Sequence, residues 1–280
     1  MKNLFWYFLI ACPLSLPAQY YYKDIVSTVE TNRQMKTYLA NKVVSVIAVG
    51  YDPMGVKTND FSEQQEILQN GTMLKTTTRN NLNITILYSK FDAQTRLIST
   101  TDSSVLVKSA TLYNYDDGGK ITWIKNSMKD SSFLINNTDE IHQWFYNAAG
   151  QPVKMLRIVN GTDTTEIRFT TDEKGNVTDE QSFRKGIPGD LIYYYYDDKN
   201  RLTDIVRYNN YYKKLLPDFM FEYDDNNRVL QKTTLLSNLH LGYLIWRYAY
   251  NDKGLKTKEA LFNKEKEMTG KIEYSYTFAQ

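Results

Sequence analysis

One nine-residue pattern recurs along the 280-residue chain and limits its folds more than any other feature. It runs aromatic, any residue, aromatic, Asp or Asn, two residues, Gly or Asn, a polar residue, an aliphatic. Clear copies are Tyr113-Asn-Tyr-Asp-Asp-Gly-Gly-Lys-Ile121, Trp144-Phe-Tyr-Asn-Ala-Ala-Gly-Gln-Pro152, Tyr194-Tyr-Tyr-Asp-Asp-Lys-Asn-Arg-Leu202, Phe221-Glu-Tyr-Asp-Asp-Asn-Asn-Arg-Val229 and Tyr248-Ala-Tyr-Asn-Asp-Lys-Gly-Leu-Lys256. Weaker copies are Phe91-Asp92 with Arg96-Leu97, and Phe169-Thr-Thr-Asp-Glu-Lys-Gly-Asn-Val177. Tyr51-Asp52-Pro53-Met54-Gly55 is an outlier. The Asp/Asn anchors fall at 92, 116, 147, 172, 197, 224 and 251, with gaps of 24, 31, 25, 25, 27 and 27 residues. Such self-similarity signals an array of one supersecondary unit.

The unit reads as a β-hairpin. Asp or Asn opens a turn because its side chain accepts a backbone N–H two residues on. The fourth turn residue must take positive φ, and there stand Gly119, Gly150, Gly175, Asn200, Asn227 and Gly254, types that tolerate left-handed geometry. A type I turn followed by a left-handed bulge residue is a common hairpin connection. Thr95 alone breaks the rule, which predicts an irregular turn there. Gly175→Val should cost more than changing the neighbouring Lys174.

The strand before each turn has two unlike faces. Stepping back by twos from the motif aromatic gives Tyr146/Trp144/His142, Tyr196/Tyr194/Ile192, Tyr223/Phe221/Phe219 and Tyr250/Tyr248/Trp246. The other face is mostly polar, as in Glu222 and Arg247. That is an antiparallel sheet covered on one side. Second turns are expected at Asn160-Gly161, Gly186 to Asp190 and Leu216-Pro217-Asp218. Two strands per unit give on the order of 16 strands. Such a sheet must curl, fold over or be covered. Ile272 to Phe278 repeats the alternation and can pair with the N-terminal part to close the sheet. The fold class is all-β: a curved antiparallel meander of tandem hairpins with a short N-terminal helix. Thr31-Asn32 is positioned to cap that helix, with Met35, Tyr38 and Leu39 on one face. Val43 to Tyr51 reads as a strand, and Asn70-Gly71 as a hairpin signal. The organisation is a signal peptide over 1–18, an N-terminal cap over 19–86 continuous with the sheet, and hairpin repeats over 87–280.

The first 18 residues read as an export signal: Lys2, an apolar run from Leu4 to Ala11, helix-breaking Pro13 and Pro17, and a small residue, Ala18, at the cut. Cleavage leaves Gln19 or Tyr20 first. The run is too short to span a bilayer. Cys12, the single cysteine, lies inside the signal. Leu9-Ile10-Ala11-Cys12 also resembles a lipobox, so a lipid anchor through Cys12 is the alternative to release. After an ordinary cut no thiol remains, which excludes disulfides and thiolate chemistry. With 34 basic and 32 acidic residues, nothing global draws the chain to nucleic acid or an anionic membrane.

The Tyr-Asp-x-x-Gly-Arg-Leu core, best seen at Tyr196 to Leu202 and at Tyr223 to Val229, resembles the YD repeat of the Rhs-type family over roughly residues 87–262. The resemblance implies tandem hairpins in a long coiled sheet, and carbohydrate binding has been attributed to such repeats. There are too few copies for the hollow shells of large members, and no toxin-like domain follows. The chain looks more like a small exported Bacteroidetes-type member.

No HExxH, GxxxxGK[ST], GxSxG or GxGxxG stands in a suitable context. The two histidines read as a packed core residue (His142) and a loop residue (His240). The Asp pairs at 116/117, 197/198 and 224/225 read as turn formers rather than calcium ligands or paired acids. Arg201 and Arg228 are placed to meet those Asp residues or a neighbouring hairpin. The candidate ligand contacts are Tyr193 and Tyr195, on the otherwise polar face, and Tyr211 and Tyr212 before two lysines. The reading is an exported, non-enzymatic binding or structural protein, periplasmic or secreted, with a glycan or envelope component as ligand. It has no cofactor, metal, catalytic residue, nucleic-acid partner or transmembrane segment. The alternatives are a carboxylate-based glycan hydrolase, marked by two acids in unlike environments, and an outer-membrane β-barrel, against which a mean hydropathy of −0.52 weighs.

Overall fold

A computed structural model describes residues 20–81, 83–103, 107–130, 137–235 and 242–280. The export signal, Cys12 and His240 lie outside the described residues. A helix, α1 (Lys23–Ala40), precedes 18 strands. These are β1 (Val43–Tyr51), β2 (Lys57–Leu68), β3 (Met73–Asn80), β4 (Asn83–Phe91), β5 (Leu97–Ser103), β6 (Val107–Tyr115), β7 (Ile121–Asp130), β8 (Thr138–Tyr146) and β9 (Pro152–Val159). They continue as β10 (Asp163–Thr171), β11 (Val177–Arg184), β12 (Ile187–Tyr196), β13 (Leu202–Asn209), β14 (Lys214–Tyr223), β15 (Val229–Leu235), β16 (Tyr243–Tyr250), β17 (Lys256–Phe262) and β18 (Met268–Phe278).

Every strand pairs antiparallel with the next, and β18 returns to β1, from Val43 against Phe278 to Tyr51 against Lys271. The sheet is therefore a closed up-and-down barrel, and the expected curved meander is corrected in that respect. Sixteen or more strands with one apolar face cannot remain an open ribbon in water, and closure covers that face and removes both edges. The segment Ile272 to Phe278 closes the barrel, as its alternation suggested.

The seven motif turns share one geometry and one rim. In the copy at Asp224, the Asp224 amide donates to the Arg228 carbonyl (2.9 Å) and the Asn227 amide donates back to the Asp224 carbonyl (3.2 Å). Asp224 Oδ1 accepts from the amides of Asn226 and Arg228, both at 2.9 Å. The register then slips by one residue at Glu222/Tyr223, the bulge that such a turn requires. Thr95 does not make its turn irregular. It takes φ 60° and keeps the same two backbone bonds, so side-chain and ladder bonds outweigh a β-branched residue's cost in the left-handed region. The same geometry recurs on the opposite rim at Asp52, the outlier copy, and at Asn263, with Lys266 at φ 64°.

The motif tyrosine carries a second link. Tyr115, Tyr146, Tyr196, Tyr223, Tyr250 and Tyr276 each donate their hydroxyl to the carbonyl of the first residue of the preceding strand, at 2.6–3.0 Å. Arg201 and Arg228 do both things expected of them. Arg201 binds Asp197 in its own turn (2.6 Å), donates to the Asp224 carbonyl of the next (2.8 Å), and lies 4.8 Å over the Tyr223 ring. Arg228 repeats this with Asp224, Asn251 and Tyr250. Adjacent turns are thus riveted around the rim.

The aromatic face points into the barrel. Trp144, Met155, Ile167, Phe169, Ile192, Tyr194 and Ile205 form one buried cluster there, with Val46, Leu255 and Ile272 in others. The outward face carries charge at mid-strand on all sides, as in Lys75 with Glu66, Lys125 with Asp139, Arg168 with Glu166, and Lys271 with Glu273.

Helix α1 is longer than the short element expected, and Thr31-Asn32 sits inside it rather than at its start. Ser27, Thr28, Thr31 and Thr37 bond their own i−4 carbonyls, which absorbs the polar side chains that would otherwise favour a cap. Met35 and Tyr38 are buried as expected, but Leu39 is 37% exposed. The helix lies across the barrel at the motif-turn rim. Asn32 accepts the Leu97 amide, Arg33 donates to the Asn227 carbonyl and Asn41 to the Lys253 carbonyl. At about 1.5 Å per residue, its 18 residues reach about 27 Å.

Candidate functional site

The mouth covered by α1 is where charged and apolar chemistry converge. At one end, Tyr38 donates to Gln65 on β2 (2.9 Å) and packs on Tyr276. At the other, the amides of Tyr21 and Tyr22 donate to the two carboxylate oxygens of Glu180 on β11, at 2.7 and 2.9 Å. In an 18-strand ring β2 and β11 are diametrically opposite, so the helix spans the barrel. Its own N-cap, Tyr22, makes no side-chain cap bond. Glu180 instead holds the two residues that lead into the helix, placing an anion near the positive end of its dipole.

Next to this contact lies a buried ion cluster. His142 Nδ1 meets Asp24 of α1 at 2.6 Å and its Nε2 meets Glu140 at 2.8 Å. Arg157 holds the other oxygen of Glu140. Burial opposes charge on His142, but the hydrogen bonds and charges of Asp24 and Glu140 outweigh it and lift the imidazole to about 9. Burial also opposes charge on Glu140, yet His142 and Arg157 hold it down to about 2. Glu180 is the converse. Burial raises it to about 7 against the two amide donors. His142 is thus the packed, hydrogen-bonded residue that its core-facing position predicted. The site residues missed in the sequence are Glu140, Glu180 and Asp24. Glu140 carried a signal, since it stands two residues from His142 and shares its face. Asp24 is 118 residues away and carried none.

Further along the lumen, away from α1, basic and acidic residues alternate on successive strands. Arg184 on β11 pairs with Asp163 on β10 at 2.8 Å, and Arg207 on β13 pairs with Asp218 on β14 at 2.8 Å.

The four candidate tyrosines do not form one site. Tyr193 and Tyr195 lie on the outer wall of β12, opposite Val206 and Asp204. Tyr195 is 48% exposed. Tyr211 and Tyr212 occupy the β13–β14 turn on the opposite rim, in an edge-to-face pair with centroids 4.9 Å apart, their amides held by Asn209 Oδ1. From Val206 to the end of β13 at Asn209 the strand advances about 10 Å, and the turn carries Tyr211 and Tyr212 beyond it. Two separate aromatic patches result.

No family model matches the sequence, and no curated protein matches it. The resemblance to the YD repeat therefore rests on the motif alone. Among solved structures, the chain is similar to a TcdB2-TccC3-Cdc42 structure, with 16% identity, 77% of this chain and 11% of that chain covered, and a TM-score of 0.34. The matched region is thus a small part of that much longer chain. A porin-like protein from Bacteroides uniformis gives 10% identity, 84% and 98% coverage, and a TM-score of 0.39. A second, from Bacteroides vulgatus, gives 9%, 84%, 98% and 0.28. These scores are low, and the functional reading rests on the geometry of the chain itself. That geometry is a closed barrel, the architecture of the outer-membrane alternative and not the open repeat surface of the principal reading.

Proposed function

We propose that the protein is a helix-covered β-barrel of the cell envelope that meets its partners through its outer wall and rims, without catalysis. The outer wall carries this reading: the motif aromatics pack inside, while Lys125, Arg168 and Lys271 stand outside at mid-strand, on the same face as Tyr193 and Tyr195. The mouth at the motif-turn rim is occupied by α1, while Tyr195, Tyr211 and Tyr212 remain exposed on the outside. Two of the buried acids are engaged, Glu140 by His142 and Arg157 and Glu180 by the amides of Tyr21 and Tyr22. Envelope glycan is the ligand chemistry that exposed tyrosine pairs suit. Loss of retention on a polysaccharide panel in Tyr193→Ala/Tyr195→Ala, with an unchanged melting temperature, supports that ligand. A wild-type protein retained by nothing retires it.

A second reading, insertion in the outer membrane, is favoured by closure, since only edge-free sheets span lipid. Against it, a lipid-facing Arg or Lys at mid-depth costs about 2–4 kcal/mol, and the outer wall carries Lys125, Arg168 and Lys271 at mid-strand. Detergent phase separation of the exported protein decides between the two. Recovery in the aqueous phase, with a single sharp peak in detergent-free gel filtration, is the expected result. Recovery only with the detergent phase would establish the membrane barrel instead.

A further inference from the structure

Lys232 is a cation without a counter-ion on the inner wall of the barrel. It stands on β15 between Phe221 of β14 and Trp246 of β16. Its ammonium lies 5.1 Å over the Phe219 ring and 6.0 Å over the Phe221 ring, two rings stacked within 15° of parallel. Arg157, Arg184, Arg207 and Lys256 also face inward, and each holds a carboxylate, those of Glu140, Asp163, Asp218 and Glu259. Among the described residues, Lys232 has no carboxylate within ion-pair distance. Glu30 of α1 and Glu259 of β17 act on it only at longer range, and Glu259 is already engaged by Lys256 and the Tyr274 hydroxyl. Ring faces restore only part of the hydration that an ammonium loses, and burial pushes this one below the ordinary lysine value.

The wall around Lys232 is apolar and only partly covered. A ring of 18 strands is wider than its own side chains fill, and α1 takes up part of that space. Where the chain from Tyr20 to Val26 packs, Trp144, Ile167 and Ile192 are at most 5% exposed. On β14 to β17, Phe219, Phe221, Trp246, Tyr248 and Leu261 face the same interior and stay half-buried. Glu30, the residue of α1 whose charge reaches Lys232, Tyr248 and Tyr250, is exposed, so the helix does not close against this wall. An inorganic anion such as phosphate calls for several converging donors. A monocarboxylate with an apolar body needs one ammonium for its head and rings for the rest.

We propose that the barrel interior binds an amphiphilic monocarboxylate of the fatty-acid type, its head on Lys232 and its apolar body along Phe219, Phe221 and Trp246. The site lies inside the barrel and is independent of the partner that the outer wall binds.

The test titrates the exported protein at pH 7 with decanoate, decanol and acetate below micellar concentrations, read by tryptophan fluorescence and calorimetry. Decanoate should bind at least about ten-fold more tightly than decanol, the worth of one charge-assisted contact, and acetate should not compete. Lys232→Met keeps the length and apolar character of the side chain. It should weaken decanoate by at least about ten-fold and leave decanol unchanged or tighter. Trp246→Ala should weaken both ligands alike, because it removes surface and no charge. A second measurement covers the case in which Lys232→Met fails to fold. Acylation of the Lys232 amine in the wild type, followed by peptide mass, should slow about ten-fold with decanoate at roughly ten times its dissociation constant, and acetate should not slow it. Equal affinity for decanoate and decanol would overturn the proposal. So would unchanged decanoate binding in a folded Lys232→Met, a Lys232 amine that decanoate does not protect, or a folded wild type that binds no decanoate.

Discussion

The Tyr223 hydroxyl reaches the neighbouring strand at the Leu202 carbonyl, 2.6 Å away, while its ring carries the Arg201 guanidinium. This explains why the motif prefers tyrosine to other aromatics. Tyr223→Phe keeps the ring and removes the bond, so it should destabilise by about 1 kcal/mol, measurable by urea unfolding. Tyr250→Phe should match it. Thr95 offers the opposite case. It sits at φ 60° where the other motif turns carry Gly or Asn, and Thr95→Gly should gain about 1 kcal/mol in the same assay. The turn chemistry was legible because Asp, Gly and Asn have few other reasons to recur at fixed offsets. The hydroxyl ladder was not, because it joins residues about 20 apart through a strand pairing that no local pattern specifies.

Among the elements, α1 was the hardest to read. A helix with wall on one side and solvent on the other needs only a few apolar residues, and here Thr28 and Asp24 share the covered face with Met35 and Tyr38. The apolar stripe therefore begins late in the sequence, and the start was placed too far along. The cluster that fastens α1 titrates in a defined window. His142 is raised from 6.5 to about 9, so its contribution is complete below pH 6.5 and is lost as pH rises through about 9. Thermal melts should show a decline between pH 6.5 and 9, on the order of 2 kcal/mol, that is absent in His142→Gln. Asp24→Ala should cost about 3 kcal/mol at pH 7, since it takes one of two anions from a buried imidazolium. The aromatic inner face of the strands, by contrast, was plain in the sequence, because a period of two over six or more residues admits one reading.

At the scale of the whole molecule, strand number and alternation pointed to a curved sheet, and one contact decided that it is a ring: β1 on β18, 228 residues apart at Ile47 and Ser275. Hairpin pairings follow from neighbours in sequence, whereas this one also depends on accumulated twist and stagger: the alternation of Ile272 to Phe278 marked a strand able to close the sheet but did not fix the ring. Deleting β18 should leave β1 and β17 each with an unpaired side, and light scattering should show the shortened chain associating where the full chain does not.

That seam also sets a clock. Adjacent staves can zip as soon as each emerges, but the last one must find a partner made at the very beginning, across the largest loop in the molecule. Until it docks, the growing cylinder is unlatched and its first stave is free to join a stranger. The slow, hazardous moment of maturation belongs to the final eleven-residue stave rather than to any of the hairpins before it.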